Sequence, residues 1–358
     1  MMANSSVAQG PEGAPVLWLG FEAPALAGAS LEGLAPSAGP GLGIRLKPGQ
    51  ARGTLETAPL PAPGFDTAIV SWNAETPAGS WLELFLRAQL DSHWTPYYPL
   101  AVWSSDPQKR HSFEASGDPE GQIQTDTLVL RHPASALQIR VVLHSTAAGV
   151  SPSLTGLAAV MSHSSTHFNP NPSPSNSKAW GLELAVPLLS QMRYQGGGEV
   201  WCSPTSVSML LGYWSAKLGQ KLDDPVPLAA QATWDRVYGG AGNWPFNTAY
   251  AGLKGLRAYV HRLSGLAEAE AYLERGIPLA LSIAWGKGEL PGAPLEQSSG
   301  HLVVLRGFTQ EGHPILNDPA APEEAGVRTI YPRQALERAW IAHSGGVVYV
   351  LEPHGAAL

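Results

Sequence analysis

The chain has 358 residues, 44% hydrophobic and 14% charged, with 39 glycines, 32 prolines and a formal net charge of −7. Glycine and proline at that level exclude a helix bundle, and without a collagen period they point to a turn-rich fold with many strands. With 22 Lys and Arg and no basic run the chain is not expected to bind nucleic acid, and no apolar stretch approaches the roughly 18 residues of a membrane span.

At roughly 100–200 residues per domain, the length suits two domains. The N-terminus, MMANSSVAQGPEGAP, has no basic n-region and no apolar h-region, so no signal peptide is expected. A misassigned start codon would hide one, and the compartment, extracytoplasmic or not, stays open. The single cysteine excludes an internal disulfide.

Residues 1–160 read as strands. From Trp81 to Leu90, Leu82, Leu84, Leu86, Ala88 and Leu90 share one face, and Glu83, Arg87 and Gln89 the other. Leu137 to Leu143 alternates in the same way, with Gln138 and Arg140 outward. Period 2 with one polar face means antiparallel sheet over a core. Turn signals recur at Pro63-Gly64, Pro77-Ala78-Gly79 and Ser116-Gly117-Asp118, which predicts an accessory β-sandwich or jelly roll. Residues 161–180 are rich in Ser, Asn and Pro without hydrophobic period, and read as a linker. His163 and His167 stand four apart there, but without a helix or further ligands they predict no metal site.

Residues 181–358 mix helices and strands. Val207, Leu210, Leu211 and Trp214 recur at helical spacing after Ser203-Pro204, which predicts a helix with Ser203 as N-cap and Pro204 at its first position. Further helices are predicted over Leu228 to Tyr238, Phe246 to Leu256, Leu266 to Arg275 and Pro332 to Trp340. Strands are predicted over Ile277 to Trp285, His301 to Phe308, Pro314 to Asn317 and Val347 to Leu351. Helices followed by antiparallel strands make an α+β layout.

Cys202 sits immediately before the first of these helices. There the helix dipole and free N–H groups favour thiolate, and the same N–H groups can hold an oxyanion. A nucleophilic cysteine needs a base, and the base an orienting group. His301 opens one strand and Asp318 ends the next. With Thr309 to Gly312 as a four-residue turn, antiparallel partners have an odd sum, and the sum for His301 and Asp318 is odd as well. Both side chains then share a face at one end of the hairpin. Taken singly, Cys202 reads as a buried hydrophobe, His301 as a solvated strand end and Asp318 as a turn residue; their coincidence favours chemistry. Trp201, Asn243, Trp244 and Trp285 are candidate cleft-lining residues, although aromatics near a site are more often packing.

Residues 184–318 resemble the C39-like branch of the papain-like cysteine peptidases. The resemblance rests on Val186-Pro187 with nearby Gln191, on Cys202-Ser203-Pro204-Thr205-Ser206, on Gly300-His301 and on Asn317-Asp318-Pro319. The β-rich half is similar to the region preceding this domain in some bacterial C39-like proteins. The resemblance implies a papain-like peptidase fold at residues 181–358, with Cys202 as nucleophile, His301 as general base and acid, and Asp318 as its orienter. It also implies Gln191 in the oxyanion hole, with Gln195 as rival, and Ser203 departs from the family's usual glycine. The implied activity is peptide-bond hydrolysis through a thioester, with a peptide or protein substrate and no metal or organic cofactor. Two alternatives are transglutaminase-like acyl transfer, and a catalytically silent protein whose β-sandwich binds a wall polymer or glycan.

Overall fold

The computed structural model describes residues 7–8, 16–20, 28–37, 43–113, 116–147, 149–164 and 175–354. The N-terminal half holds strands β1 (Val7–Ala8), β2 (Val16–Gly20), β3 (Ser30–Glu32), β4 (Leu34–Pro36), β5 (Ile44–Leu46), β6 (Arg52–Glu56) and β7 (Leu60–Glu75). It continues with β8 (Ser80–Gln89), β9 (Tyr98–Trp103), β10 (His111–Ser112), β11 (Gly121–Gln124), β12 (Thr127–Ser145) and β13 (Ser153–Ser162).

The two alternating segments of the sequence are each other's partners. Leu82, Leu84, Leu86 and Ala88 of β8 face Leu143, Val141, Ile139 and Leu137 of β12, and all eight are buried. β7 and β12 run 16 and 19 residues, against about five or six in a typical strand. Two register irregularities bend β12 between Val129 and Ala136. Its first part therefore pairs with β11 and β7, and its second with β8 and β6. The expected antiparallel all-β half is present, but its strands form one hydrogen-bonded sheet of thirteen rather than two separate sheets.

The C-terminal half holds α1 (Cys202–Leu218), α2 (Val226–Thr233), α3 (Trp244–Gly252), β14 (Leu256–Arg262), α4 (Leu266–Glu274) and β15 (Leu279–Trp285). After these come β16 (Ser298–Phe308), β17 (Pro314–Asn317), β18 (Arg328–Ile330), α5 (Arg333–Ser344) and β19 (Val347–Pro353). The sheet runs β14-β19-β15-β16-β17-β18, antiparallel at every step. α1 lies on β16 and β15, with α2 and α3 against it. That sandwiching buries α1 almost all round from Ser203 to Leu211, beyond the single face its periodicity predicts.

Three sequence expectations change. The helix expected to run to Tyr238 stops at Thr233, because the Asp235 carboxylate accepts the N–H groups of Val237 and Tyr238 and folds the chain into a turn. The helix expected to run to Leu256 stops at Gly252, and Gly255, at φ 84°, turns the chain into β14, a strand buried along its whole length. β18 is likewise absent from the sequence-based expectation.

The halves meet along β7. The Asn73 side chain donates to the Ala258 carbonyl (2.8 Å) and accepts the Ala258 N–H (3.1 Å), while Ser71 Oγ accepts the Val260 N–H (3.1 Å). Trp72, Trp103 and Phe246 pack edge to face, with centroids 5.4–6.1 Å apart. Of the expected linker, residues 165–174 lie outside the described residues. Its C-terminal end is tied to the buried Glu270 carboxylate through the Asn176 N–H and Trp180 Nε1.

Candidate active site

Cys202 is the first residue of α1, and Trp201 occupies the cap position without a side-chain cap. The expected Ser203 cap is therefore incorrect. Ser203 is wholly buried, and its Oγ lies 2.8 Å from the Tyr349 hydroxyl on β19, which fixes the helix start to the sheet. Pro204 falls third in the helix, where its missing N–H is still one the helix would leave unpaired. Ser206 Oγ donates to the Leu302 carbonyl, tying α1 to β16 beside His301.

His301 Nε2 lies 2.7 Å from Asp318 Oδ1, with both residues buried. The Cys202 thiol is within electrostatic reach of the same imidazole, whose Nδ1 is the nitrogen that Asp318 does not engage. The expected register reaches this geometry by a different route. The loop has five residues, not four: Phe308 pairs with Pro314, an even sum. An irregularity at Arg306 then restores an odd sum, so Val304 pairs with Asn317. Without that extra residue, His301 and Asp318 would point to opposite faces.

The carboxylate is held from several sides. Asp318 Oδ1 also accepts the Ala320 N–H (2.9 Å), and Oδ2 accepts the Tyr331 hydroxyl. Asn317 is wholly buried; it donates to the Pro187 carbonyl (2.9 Å) and accepts from Arg306 (3.0 Å). Tyr331 and Arg306 were not singled out from sequence, since a lone Tyr or Arg carries no motif.

Burial pushes the Cys202 thiol up, but the His301 hydrogen bond and charge outweigh it, with help from the Leu302 and Ser203 N–H groups, and hold it below its ordinary value. For His301 burial acts downward, and the Asp318 carboxylate and the thiol overcome it, raising the imidazole to about 10. Burial likewise opposes ionisation of Asp318, which the His301 charge and the donated hydrogen bonds still keep below the usual carboxylate range. The three groups therefore favour a thiolate, an imidazolium and a carboxylate in series.

Gln191 and Gln195 differ in burial: Gln191 is 2% exposed, whereas Gln195 is exposed. The Gln191 N–H donates to the Pro319 carbonyl (2.9 Å), and Ser190 Oγ to the Ala321 carbonyl, so this turn lies against the segment carrying Asp318. Gln191 Oε1 is buried without a partner. The turn depends on glycine: a Cβ on Gly198 would stand 2.2 Å from the Gln191 carbonyl oxygen, and one on Gly197, at φ 144°, 2.8 Å from the Trp201 ring.

Of the expected cleft residues, Trp285 packs edge-on against His301, with centroids 5.8 Å apart. Trp201 covers Gly197. Asn243 instead caps α3, accepting the Phe246 N–H (3.1 Å) while donating to Asp235 (3.0 Å). The Trp244 N–H donates to the Asp126 carboxylate of the N-terminal half (2.9 Å). No group of three or more His, Cys, Asp and Glu placed to hold a metal ion occurs among the described residues.

The site thus holds a thiol at a helix start and an imidazole hydrogen-bonded to a buried carboxylate. Residues 183–348 match the Peptidase_C39 like family and residues 49–162 the Peptidase C39 N-terminal domain; the chain is a C39-like family protein. Among solved structures it is similar to a candidate C39-like peptidase from Bacillus anthracis, at 15% identity and TM-score 0.27 over 50% of this chain and 98% of that one. It is also similar to a xylan-binding domain of CBM 22, at 11% identity and TM-score 0.20 over 38% of this chain and 88% of that one. No curated protein matches the chain.

Proposed function

We propose that this chain is a cysteine-type peptidase with a papain-like catalytic half. The observation that carries the reading is Cys202 at the start of α1, within electrostatic reach of a buried His301 whose Nε2 lies 2.7 Å from Asp318 Oδ1. The Cys202 thiolate attacks a peptide carbonyl, and the carbonyl electron pair moves onto oxygen. The Cys202 N–H and the Gln191 side chain stabilise that oxyanion. As the oxyanion collapses, the C–N bond breaks, and His301 gives its proton to the leaving amine. Neutral His301 then takes a proton from water, which attacks the thioester and releases the acid and the thiol. Asp318, fixed by Tyr331 and the Ala320 N–H, keeps the imidazole in the orientation both proton transfers need.

The test is cleavage of a peptide library by the native chain and by Cys202→Ala. New termini with the native chain alone support the reading, and equal profiles refute it. Adding a primary amine to the native digest separates hydrolysis from acyl transfer, since transfer attaches the amine to the acyl fragment.

A further inference from the structure

The two oxygens of the Asp318 carboxylate are used differently. Oδ1 meets His301 Nε2 (2.7 Å) and the Ala320 N–H (2.9 Å). Oδ2 accepts the Tyr331 hydroxyl (2.5 Å), the one hydrogen bond to that oxygen among the described residues. Tyr331 is wholly buried. It directly follows β18, in which Arg328 pairs with Asn317 and Ile330 with Ile315 of β17. The Tyr331 N–H donates to the carbonyl of Pro314, at the far end of β17 from Asp318 (3.3 Å), so the side chain runs back along β17 to reach the carboxylate. Arg328 Nε and Nη2 donate to the Glu183 carboxylate (2.8 and 2.9 Å) and tie β18 to the segment before Val186-Pro187.

Asp318 does not need a phenol to stay in place. Its N–H donates to the Val327 carbonyl (2.7 Å), its carbonyl accepts the Ala321 N–H (3.3 Å), and the Ala320 N–H orients Oδ1. What the phenol adds is control of charge, because a hydrogen bond donated to a carboxylate favours the ionised form and lowers its basicity. The elements packed on β16 offer little else of that kind. β15 and β17 read LALSIAW and PILN, with no titratable side chain, and the first turns of α1 bring only Cys202. Arg306 of β16 itself is spent on Asn317 (3.0 Å), the Leu184 carbonyl (3.0 Å) and Glu183 (3.4 Å). Burial and the Asp318 charge push the Tyr331 phenol up, so its hydroxyl keeps its proton and stays a donor.

We infer that Tyr331 is a fourth member of the series, a positioning residue that takes up part of the Asp318 charge and so keeps the His301 imidazolium able to part with its proton. His301 has to give a proton to the leaving amine and later take one from water, and an imidazole held too firmly protonated does both badly. The carboxylate on one side and the thiolate on the other both favour the imidazolium, and the Tyr331 hydroxyl opposes them from behind the carboxylate. A tyrosine buried for packing alone would also need an acceptor for its hydroxyl. The two roles differ in sign: loss of a charge-sharing donor strengthens the imidazolium, whereas loss of a mere prop loosens Asp318 and weakens it.

This role rests on the peptidase reading, so the test uses titration of the full chain and not turnover. Two midpoints are measured against pH: iodoacetamide labelling for the Cys202 thiol, and NMR of the ring protons for His301. In Tyr331→Phe, which keeps the buried ring, the His301 midpoint should rise by roughly half a pH unit. That is part of the effect of about one pH unit that a hydrogen bond to a charge has on the charge itself. The labelling midpoint should fall, so the interval over which thiolate and imidazolium coexist widens. Replacing Tyr331 by ortho-fluorotyrosine, whose more acidic hydroxyl donates more strongly, should narrow that interval, and this chain carries the test alone if Tyr331→Phe fails to fold. An interval that stays at the native width in Tyr331→Phe, or that narrows, overturns the assignment and leaves the peptidase reading standing. An interval that stays at the native width with ortho-fluorotyrosine overturns it as well. A widened interval in Tyr331→Phe, in a chain whose native form cleaves no peptide of the library, overturns the peptidase reading while the charge sharing by Tyr331 stands.

Discussion

The Cys202 thiol meets two opposing influences. Burial disfavours its charge, while His301 and two backbone N–H groups favour it, and the balance lies toward thiolate. Iodoacetamide labelling followed against pH should therefore reach half its plateau below the unperturbed cysteine value of roughly 8.5. Asp318→Asn removes the carboxylate charge that raises His301, so the imidazolium weakens and the labelling midpoint should move up from the native one. A midpoint that stays put would show that the thiolate does not depend on that charge. The coupling also runs the other way. Cys202 helps to raise His301, so in Cys202→Ser the His301 ring should titrate lower than in the native chain, followed by NMR of its ring protons. The sign for stability follows: the His301 charge contributes fully below its ordinary 6.5, and that contribution fades as pH rises through about 10. In turnover, His301→Ala should lose roughly 10²–10⁴-fold, the usual share of a general acid and base. Asp318→Asn should lose less than Asp318→Ala, since an amide oxygen still accepts from the ring. His313→Ala, in the turn of the same hairpin, should be nearly neutral.

At the scale of elements, β16 carries His301 and Asp318 follows β17 directly, and the legibility of this hairpin in sequence is partial for a definite reason. The motif residues Gly300-His301 and Asn317-Asp318 mark where chemistry sits, and the apolar run between them marks a strand. Loop length and the irregularity at Arg306 are not encoded in any periodicity, and each would alone have reversed the face of His301. The two departures cancel, so the expected face holds while the expected register does not. β14 is missing from the expectation although Leu256, Ala258 and Val260 alternate with Arg257, Tyr259 and His261, because the helix expected to run to Leu256 covers its start and its polar residues are buried as well. Type and position suggest Ser203 as a cap, whereas its partner Tyr349 is 146 residues away and invisible locally. Asn317 makes the hairpin a support for the Val186-Pro187 lead-in as well. Asn317→Ala would strand the part-buried Pro187 carbonyl and one arm of Arg306, costing about 1–3 kcal/mol for the unsatisfied groups. The urea midpoint should fall with the slope unchanged. An unchanged midpoint would mean that water replaces the amide at no cost.

For the whole molecule, composition separates the chain into a β-rich half, a Ser/Asn/Pro-rich stretch and a mixed half, yet it says nothing about how firmly the halves join. We propose the boundaries 1–160, 161–180 and 181–358 on that composition. The contacts argue that the halves do not behave as independent bodies. Asn73 and Ser71 extend hydrogen bonding from β7 to the backbone of β14, and the Trp72, Trp103 and Phe246 rings form one aromatic cluster from both halves. Arg110 is buried at the junction with its guanidinium spent on carbonyls of the other half. A domain pair joined chiefly by its linker would separate once the linker is cut. Here limited proteolysis should cut first between Met161 and Ala179, where the sequence is most linker-like. The two fragments should then stay together through gel filtration, and the nicked protein should unfold in one transition at a midpoint close to that of the intact chain. Asn73→Ala breaks both of its bonds to Ala258, and in the nicked protein it should loosen the pair while leaving each fragment folded. Fragments that part on nicking in the native protein would show that the β7–β14 junction is too weak to hold them.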